Sequence, residues 1–551
     1  MDTITLTFEN GEKKEYIKGI KLKEVIESVK ENYPYDIIAG VFKNHIINYE
    51  EPLTKSGKIF LKDINSKIGN QIYELGLIYL FESSVFDILG KDTKVNIKHS
   101  LDKGVYCEVD KPVSEDVLTI IKDDMKDKVN KAIPFIKIET SRLEAIEYFK
   151  KIGRIDKAKT LFYNTSDYIP LYKFNGLYNY IIGTLPNDTS VLKYFDLTRI
   201  NEKGIVLRFP GIRDNAKVMK YTDHPKYMES IKEYSEWGKI LNINNVGDLN
   251  EYITKNDPAE LINLSEIMQD YKLLSIAENI VLNKEDIKLI LISGPSSSGK
   301  TTTSKKLCLY LKTLGINPIQ LSLDDYFLNR EDTPLDEYGQ KDYESIAAID
   351  IELFRNHIGK LLKGEKVLTP VFDFVEGKKI FKKEIQIKEN DVLIIEGLHA
   401  LNDTLTKDIN KKNKYKIYIS PLTFLNIDND NRIKMTDIRL LRRMIRDNRT
   451  RGYSPSQTLE NWHSVRKGED KGVFAYQDEA DIVFNSSLAY ELGVLRTYAM
   501  PLLFSVKEDD KEYLTALRLI EFLMTVLPIP SDYVPKISIL REFIGGSYFE
   551  K

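Results

Sequence analysis

The chain has 551 residues, 42% of them hydrophobic and 30% charged, with a formal net charge of -3. That length exceeds one hydrophobic core and predicts several domains; the composition excludes a disordered or collagen-like chain, and the near-neutral charge excludes a global basic field for nucleic acid. Cys107 and Cys308 are the sole cysteines and the six histidines form no HxxxH or HExxH pair, which excludes a disulfide framework and a cysteine-rich zinc site. The opening MDTITLTFENGEKK lacks a basic-then-apolar leader, and no apolar run reaches the roughly 18 residues of a membrane helix. A cytoplasmic protein without a membrane partner is expected.

In chain order, residues 4–8 and 13–17 alternate in polarity around Glu9-Asn10-Gly11-Glu12, where Asn-Gly predicts a hairpin turn. A helical stretch follows with Leu22, Val25, Ile26 and Val29 on one face, and residues 37–64 read as short strands around Lys43-Asn44-His45. Hairpin, helix and strands suggest a β-grasp module over residues 1–64. This module resembles the TGS domain at the front of threonyl-tRNA synthetases. The segments ESSVFDIL, from Glu82 to Leu89, and GTLPNDTSVLKYF, from Gly183 to Phe195, look like the editing-type domain of the same enzymes, giving an α+β unit over residues 65–220. In that family the editing site uses two histidines four apart on the early helix and a Cys/His pair around the later Gly-Pro. The matching positions here are Glu82 and Phe86, then Ile181 and Leu185, so the resemblance implies a pocket without hydrolytic chemistry or zinc. It is also what brings tRNA in as a candidate partner.

Residues 221–285 turn helical and charged, with helices expected near 227–241, 248–253 and 259–280, and read as a connector. Asn283-Lys284-Glu285-Asp286 matches the guanine-reading NKxD pattern but precedes the phosphate loop, and is read as coincidence.

Residues 288–303, KLILISGPSSSGKTTT, hold the pattern GxxxxGK[ST] in full: Gly294, Pro295, Ser296, Ser297, Ser298, Gly299, Lys300 and Thr301, followed by Thr302. The glycines let the backbone aim its N–H groups at phosphate oxygens, Lys300 reaches the β/γ-phosphates, and the Thr301 hydroxyl faces Mg²⁺. An apolar strand before and an amphipathic helix over 302–314 after supply the context a Gly/Ser-rich surface turn would lack. Next, the strand 318–323 ends in Asp324-Asp325. A carboxylate there lies where ligands bind in open α/β sheets and can take a proton or help hold Mg²⁺, although an Asp that caps a turn would read the same way. The four-residue apolar run before Glu396 predicts a doubly covered strand with a second metal-side acid at its end. Arg439, Arg442, Arg443 and Arg446 fall at i, i+3, i+4 and i+7 along one side of a helix, which fits mobile cations over a transferring phosphoryl group better than a solvated basic face.

Together these residues resemble the uridine kinase and phosphoribulokinase family of P-loop kinases. The resemblance rests on the phosphate loop, LSLDDYF from Leu321 to Phe327, Tyr343-Glu344, PVFDF from Pro370 to Phe374, residues 392–397, LRRMIRD from Leu441 to Asp447, and Arg451-Gly452. It implies Asp324 and Lys300 as catalytic residues, Thr301, Asp324 and Glu396 around Mg²⁺, and Arg446 and Arg451 on the phosphates of ATP. It further implies Glu344 on a ribose diol, with Phe372, Phe374 and Arg443 lining the acceptor site. Where uridine kinases carry a Tyr and a His around the base, this chain has Phe372 and Gly377, and Tyr453 stands where a lid Arg is expected, which puts uridine selectivity in doubt.

The expected fold class is α/β and multidomain, with a P-loop NTPase of parallel sheet and flanking helices over residues 286–551. The expected activity is ATP- and Mg²⁺-dependent phosphorylation of the primary hydroxyl of a uridine- or cytidine-like nucleoside or a related small molecule. A nucleotide-gated switch that binds RNA or a metabolite is the alternative, and Asp324 and Glu344 favour the kinase. The apolar tail, residues 488–551, leaves open whether it packs on the kinase domain or forms a homo-oligomer contact.

Overall fold

The computed structural model describes residues 2–335, 339 and 341–550. Thr3–Thr7 and Lys13–Ile17 pair antiparallel across a turn in which Gly11 takes φ 84, the conformation that makes Asn-Gly a turn signal. The five-stranded sheet continues through Gly57–Asp63, which pairs in parallel with Thr3–Thr7, then Ile37–Phe42 and His45–Ile47. Lys43 and Asn44, both at positive φ, make the second tight turn. The helix Leu22–Glu27 seats Leu22, Val25 and Ile26 on this sheet; it ends before Val29, which is nevertheless buried in the same core.

The helix Lys67–Leu89 is buried on nearly every side because it lies inside the next unit. An antiparallel sheet, ordered Asp196–Arg199, Gly204–Arg208, Gly104–Val109, Val95–Leu101, packs on it together with the helix Glu115–Asn130. A smaller antiparallel sheet of Ile136–Ser141, Tyr168–Phe174 and Leu177–Asn179 carries the helices Arg142–Lys151 and Ile155–Phe162.

The C-terminal region is built on a fully parallel sheet, ordered Asn317–Ser322, Asp391–Glu396, Leu289–Ser293, Lys414–Ser420, Ile482–Asn485. Every residue of Leu289–Ser293 and Asp391–Glu396 is buried, as apolar runs with no alternation require when both faces are covered. Ile290, Ile292 and Ile394 face one core with the helix Lys300–Thr313; Leu289, Leu291, Leu393 and Ile395 face the other with Phe354, Ile358 and Leu361 of the helix Ile351–Leu362. Doubly wound in this way, the sheet gathers its strand C-termini at one edge.

The stretch 221–285 does more than connect. Its helices are Pro225–Leu241, Val246–Lys255 and Pro258–Leu282, and Leu273, Ile276, Ala277 and Ile280 of the last enter the core of the parallel sheet. Lys306, from the helix after the phosphate loop, pairs with Asp270 at 2.6 Å. Asn283 ends this helix by donating its side-chain amide to the Asn279 carbonyl oxygen, and Asp286 pairs with Lys412 and accepts from Asn413 through its carbonyl oxygen, so the NKxD-like run caps the helix and ties it to the sheet. The tail packs in the same core, with Leu519, Leu523, Val526, Ile539 and Leu540 buried there. Cys107 and Cys308 are free thiols, and among the described residues no helix is long and apolar enough to cross a membrane.

Candidate active site

The phosphate loop joins the central strand Leu289–Ser293 to the helix Lys300–Thr313. Its glycines are sterically required. A Cβ on Gly294 would overlap the Ile419 carbonyl oxygen, and Gly299 takes φ 87 with Ile539 Cγ2 only 2.5 Å from where its Cβ would be. Ser297 adopts φ 59, and its hydroxyl and that of Ser298 are buried without a hydrogen-bond partner among the described residues. Three neighbouring groups hold the loop. The Ser296 N–H donates to Glu469 Oε1 at 2.7 Å, Arg443 Nη1 donates to Ser296 Oγ at 2.7 Å, and Lys300 Nζ donates to the Pro295 carbonyl oxygen at 3.1 Å.

Parallel pairing aligns Ser322 with Glu396, and the Ser322 hydroxyl donates to Glu396 Oε1 at 3.1 Å. Asp324 follows on the short 3₁₀ turn Leu323–Tyr326, so the ends of three adjacent strands bring Lys300, Asp324 and Glu396 together. Their electrostatics interlock. Burial and the Asp324 charge push Glu396 up to about 7, with Lys300 opposing. Asp324 opens onto the cleft yet is ringed by protein; desolvation raises its pKa, and Lys300 pulls it back. Burial lowers the Lys300 pKa, and Glu396 and Asp324 resist that shift. Glu344 sits at the same cleft, pushed up to about 7 chiefly by desolvation, with Arg443 opposing.

Among the described residues no three His, Cys, Asp or Glu side chains converge as a protein-only metal site. The donors that do converge, the Asp324 and Glu396 carboxylates with the Thr301 hydroxyl close by on the loop, are all oxygen. They fit Mg²⁺, which takes one or two carboxylates and completes its shell with water and substrate phosphates.

The arginine helix, Met435–Arg451, corrects the expectation of four equivalent lid cations. Arg439 is buried against Glu469 with its guanidinium over the Trp462 ring, and Arg442 is fully buried against Glu491 at 2.6 Å. Both tie the helix to the core because a buried guanidinium needs a carboxylate partner. Arg443, Arg446 and Arg451 remain near the cleft, and all three pair with Asp447, a fully buried carboxylate, at 3.2, 2.8 and 3.5 Å. Sequence reasoning gave Asp447 no role, although it lies four residues after Arg443 and four before Arg451, the spacing of helical ion pairs.

The hairpin Val367–Asp373 with Lys378–Ile385 forms the outer wall. Asp325 Oδ1 accepts the Phe372 N–H at 3.1 Å, Phe372 is buried against Phe327 and Phe374, and Phe374 is largely exposed. Gly377, at φ 71, has no room for a side chain because Arg330 fills the space. A further unanticipated residue comes from the tail: Glu542 Oε2 accepts from the Thr302 N–H at 3.2 Å and the Thr302 hydroxyl at 2.8 Å, directly on the phosphate-loop helix. Arg449 holds that segment through the Glu542 and Phe543 carbonyl oxygens and the Glu550 carboxylate. Nothing in the sequence signals this contact, since over 200 residues separate its partners.

Of the positions expected to form the degenerate front pocket, Glu82, Ile181 and Leu185 are buried and Phe86 is half-buried, and the loop around Asp428-Asn429-Asp430-Asn431 from the C-terminal region enters beside Glu82 and Ile181. Asn179 Nδ2 donates to Glu82 Oε2 and Asp430 Oδ2; Lys157 Nζ pairs with Asp428 and Asp430 at 3.1 and 2.9 Å; and the Ile182 N–H donates to Asn431 Oδ1 at 2.9 Å. Burial and Asp430 hold Glu82 well above the usual carboxylate range.

A profile of the phosphoribulokinase/uridine kinase family matches residues 289–490. Among individual relatives, the uridine kinase of Bacillus pumilus is 30% identical over 177 residues, 32% of this chain and 75% of its own length. That of Leuconostoc citreum is 31% identical over 180 residues, 32% of this chain and 77% of its own. That of Anoxybacillus flavithermus is 29% identical over 196 residues, 35% of this chain and 84% of its own.

Proposed function

Since the chain belongs to the phosphoribulokinase/uridine kinase family, we propose that it is an ATP- and Mg²⁺-dependent kinase that phosphorylates the primary hydroxyl of a nucleoside or nucleoside-like small molecule. The observation that carries this reading is the convergence of Lys300, Asp324 and Glu396 at adjoining strand ends, with Glu344 and Arg443 across the same cleft. A switch needs a phosphate loop but no carboxylate poised beside an acceptor cleft.

In the proposed reaction, Asp324 accepts the acceptor hydroxyl proton as that oxygen forms a bond to the γ-phosphorus and the bond to the β,γ-bridging oxygen breaks, releasing ADP. Lys300 and the loop N–H groups neutralise the phosphates, and Arg443, Arg446 and Arg451, held in register by Asp447, supply cations over the transferring group. Mg²⁺, when held by Thr301, Asp324 and Glu396 directly or through water, adds charge neutralisation at the phosphate oxygens. Ionised Glu344 accepts hydrogen bonds from a vicinal diol. Phe372 and Phe374 offer the base an apolar wall in place of polar readers, which favours relaxed base selectivity.

For the front half we favour descent from a TGS and editing-type pair, retained as a scaffold. A loop of the kinase region hydrogen-bonds to Asn179 and Ile182, beside Glu82 and Ile181, which supports that reading.

The test is a screen of nucleosides, sugars and hydroxy amino acids for ATP- and Mg²⁺-dependent phosphorylation by the full chain. Transfer to the 5′-hydroxyl of nucleosides with more than one base is expected. Transfer only to free sugars or hydroxy amino acids would overturn the acceptor class, and ATP-independent or absent transfer to the whole panel would overturn the kinase.

A further inference from the structure

A cavity of about 610 Å³ opens between the front half and the arginine helix and is lined in part by Arg439, which also donates to the phosphate loop at the Ser296 carbonyl oxygen. Its volume lies in the range of small-molecule sites. The front half contributes the start of the helix Lys67–Leu89, the turn at Asp102 and Lys103, and residues 209–214; the C-terminal region contributes Arg432, Lys434, the inner face of the helix Pro455–Gly472, and Arg518.

The lining carries eight lysines and arginines against five carboxylates. Two of those carboxylates are shared: Glu74 pairs with Arg432 at 2.5 Å and Lys434 at 2.6 Å, and Asp470 with Arg213 at 3.0 Å and Arg466 at 3.7 Å. The other cations are also paired, Lys67 with Glu512, Lys103 with Asp214 and Arg518 with Asp437, so the wall is a dense set of ion pairs in which the cations outnumber the lining acids. His463 faces it without a hydrogen bond among the described residues, and after burial the cations Arg213 and Lys67 are what lower its pKa, the mark of a positive field. Five of the eight cations are arginines, whose planar fork suits phosphate oxygens.

The wall also touches the phosphate loop. Arg439 and Arg466 line the cavity, and both pair with Glu469, which lies fully buried behind them. The Glu469 carboxylate is the group that accepts the Ser296 N–H, and Arg439 Nε donates to the Ser296 carbonyl oxygen at 2.9 Å. An anion in the cavity draws Arg466 toward itself, leaving Glu469 less neutralised beside the loop that must accept phosphates.

We propose that this cavity is an effector site for a phosphorylated small molecule, and that its occupancy weakens nucleotide binding at the phosphate loop through Arg466 and Glu469. It gives the fusion of the two halves a task, since neither half encloses the site alone. The relay rests on the nucleotide-binding reading above; the occupancy of the cavity does not, and the two are tested separately.

Inorganic pyrophosphate is titrated by calorimetry into the full chain carrying Lys300→Ala, which disables the phosphate loop. One saturable site is expected, weakened at least tenfold when Lys103→Ala and Arg213→Ala are added; both residues are exposed, and neither belongs to the proposed catalytic machinery. Absence of saturable binding, or an affinity the added pair leaves unchanged, overturns the site. In the chain with Lys300 intact, pyrophosphate is expected to lower the affinity for a fluorescent ATP analogue more than in the Lys103→Ala/Arg213→Ala chain. An equal effect in both means simple competition at the phosphate loop and overturns the relay.

Discussion

The charge cluster around Asp430 and the one around Asp324 both bury carboxylates beside cations and both hold an acid far above its usual pKa, yet they differ in access. At Asp430 every neighbour is protein: Lys157 and Arg154 pair with it, Asn179 donates to it, and a loop from the C-terminal region closes the space. At Asp324 desolvation and a neighbouring acid raise each carboxylate beside a lysine, Asp325 acting on Asp324 and Asp324 on Glu396, at strand ends that face a cleft, where a ligand can supply compensating charge. A perturbed pKa alone does not distinguish a scaffold from a site; an unfilled approach to it does.

The comparison breaks most visibly at Lys300. Lys300→Ala is expected to reduce ATP turnover by at least about 10³-fold, since it removes the main cation on the phosphates, while circular dichroism and melting temperature stay near those of the native chain. Turnover at the native rate would remove the phosphate loop from the reaction. In the front cluster the expectation reverses. Lys157→Ala leaves Asp428 without its cation in the interior and Asp430 with Arg154 alone, and should cost about 3–5 kcal/mol of stability, read as a lowered melting temperature, with turnover per folded molecule within about twofold. A selective loss of turnover without destabilisation would mean that the front pocket takes part in chemistry.

The pH response sharpens the same contrast. Glu344 and Glu396 are pushed up to about 7 in the folded chain, above the ordinary glutamate value of 4.5, so the folded state holds protons that the unfolded state has released. Their contribution to stability is present below about 4.5 and is lost as pH rises through about 7. The nucleotide-free chain should therefore melt at lower temperature at pH 7.5 than at pH 5.5, and Glu396→Gln should flatten that slope. The value of kcat/KM, which reports ionisations of the free enzyme, should rise across the same window; a kcat/KM profile flat from pH 6 to 8 would contradict it. The smallest effect is expected at Glu542, whose carboxylate occupies the Thr302 N–H at a helix N-terminus suited to phosphate. Glu542→Ala should tighten ATP binding several-fold by equilibrium titration, whereas weaker binding would make Glu542 a nucleotide ligand.

Much of the C-terminal site was legible because its chemistry is local: the loop pattern, an acid after each of two apolar strands, and arginines at helical spacing each name themselves. What the sequence could not show is how those pieces are partnered. Four arginines at i, i+3, i+4 and i+7 look equivalent, but Glu469 and Glu491 claim Arg439 and Arg442, leaving the others to Asp447. Those acids come from other helices, 30 and 49 residues along the chain, and no periodicity announces them. The first hairpin was readable from Asn10-Gly11 for the same local reason. By contrast, the helices at 221–285 looked like a connector because their apolar faces have no stated partner until the sheet is built.

Asp324 decides the account most directly. Asp324→Asn keeps the side-chain shape and removes the basic oxygen and a negative charge, so the phosphoryl-transfer rate should fall by about 10²–10⁴-fold, with ATP binding retained and the melting temperature unchanged or raised. Retained transfer with a lowered melting temperature, the signature of a lost turn cap worth about 0.5–2 kcal/mol, would take Asp324 out of the reaction and return the phosphate loop to a switch.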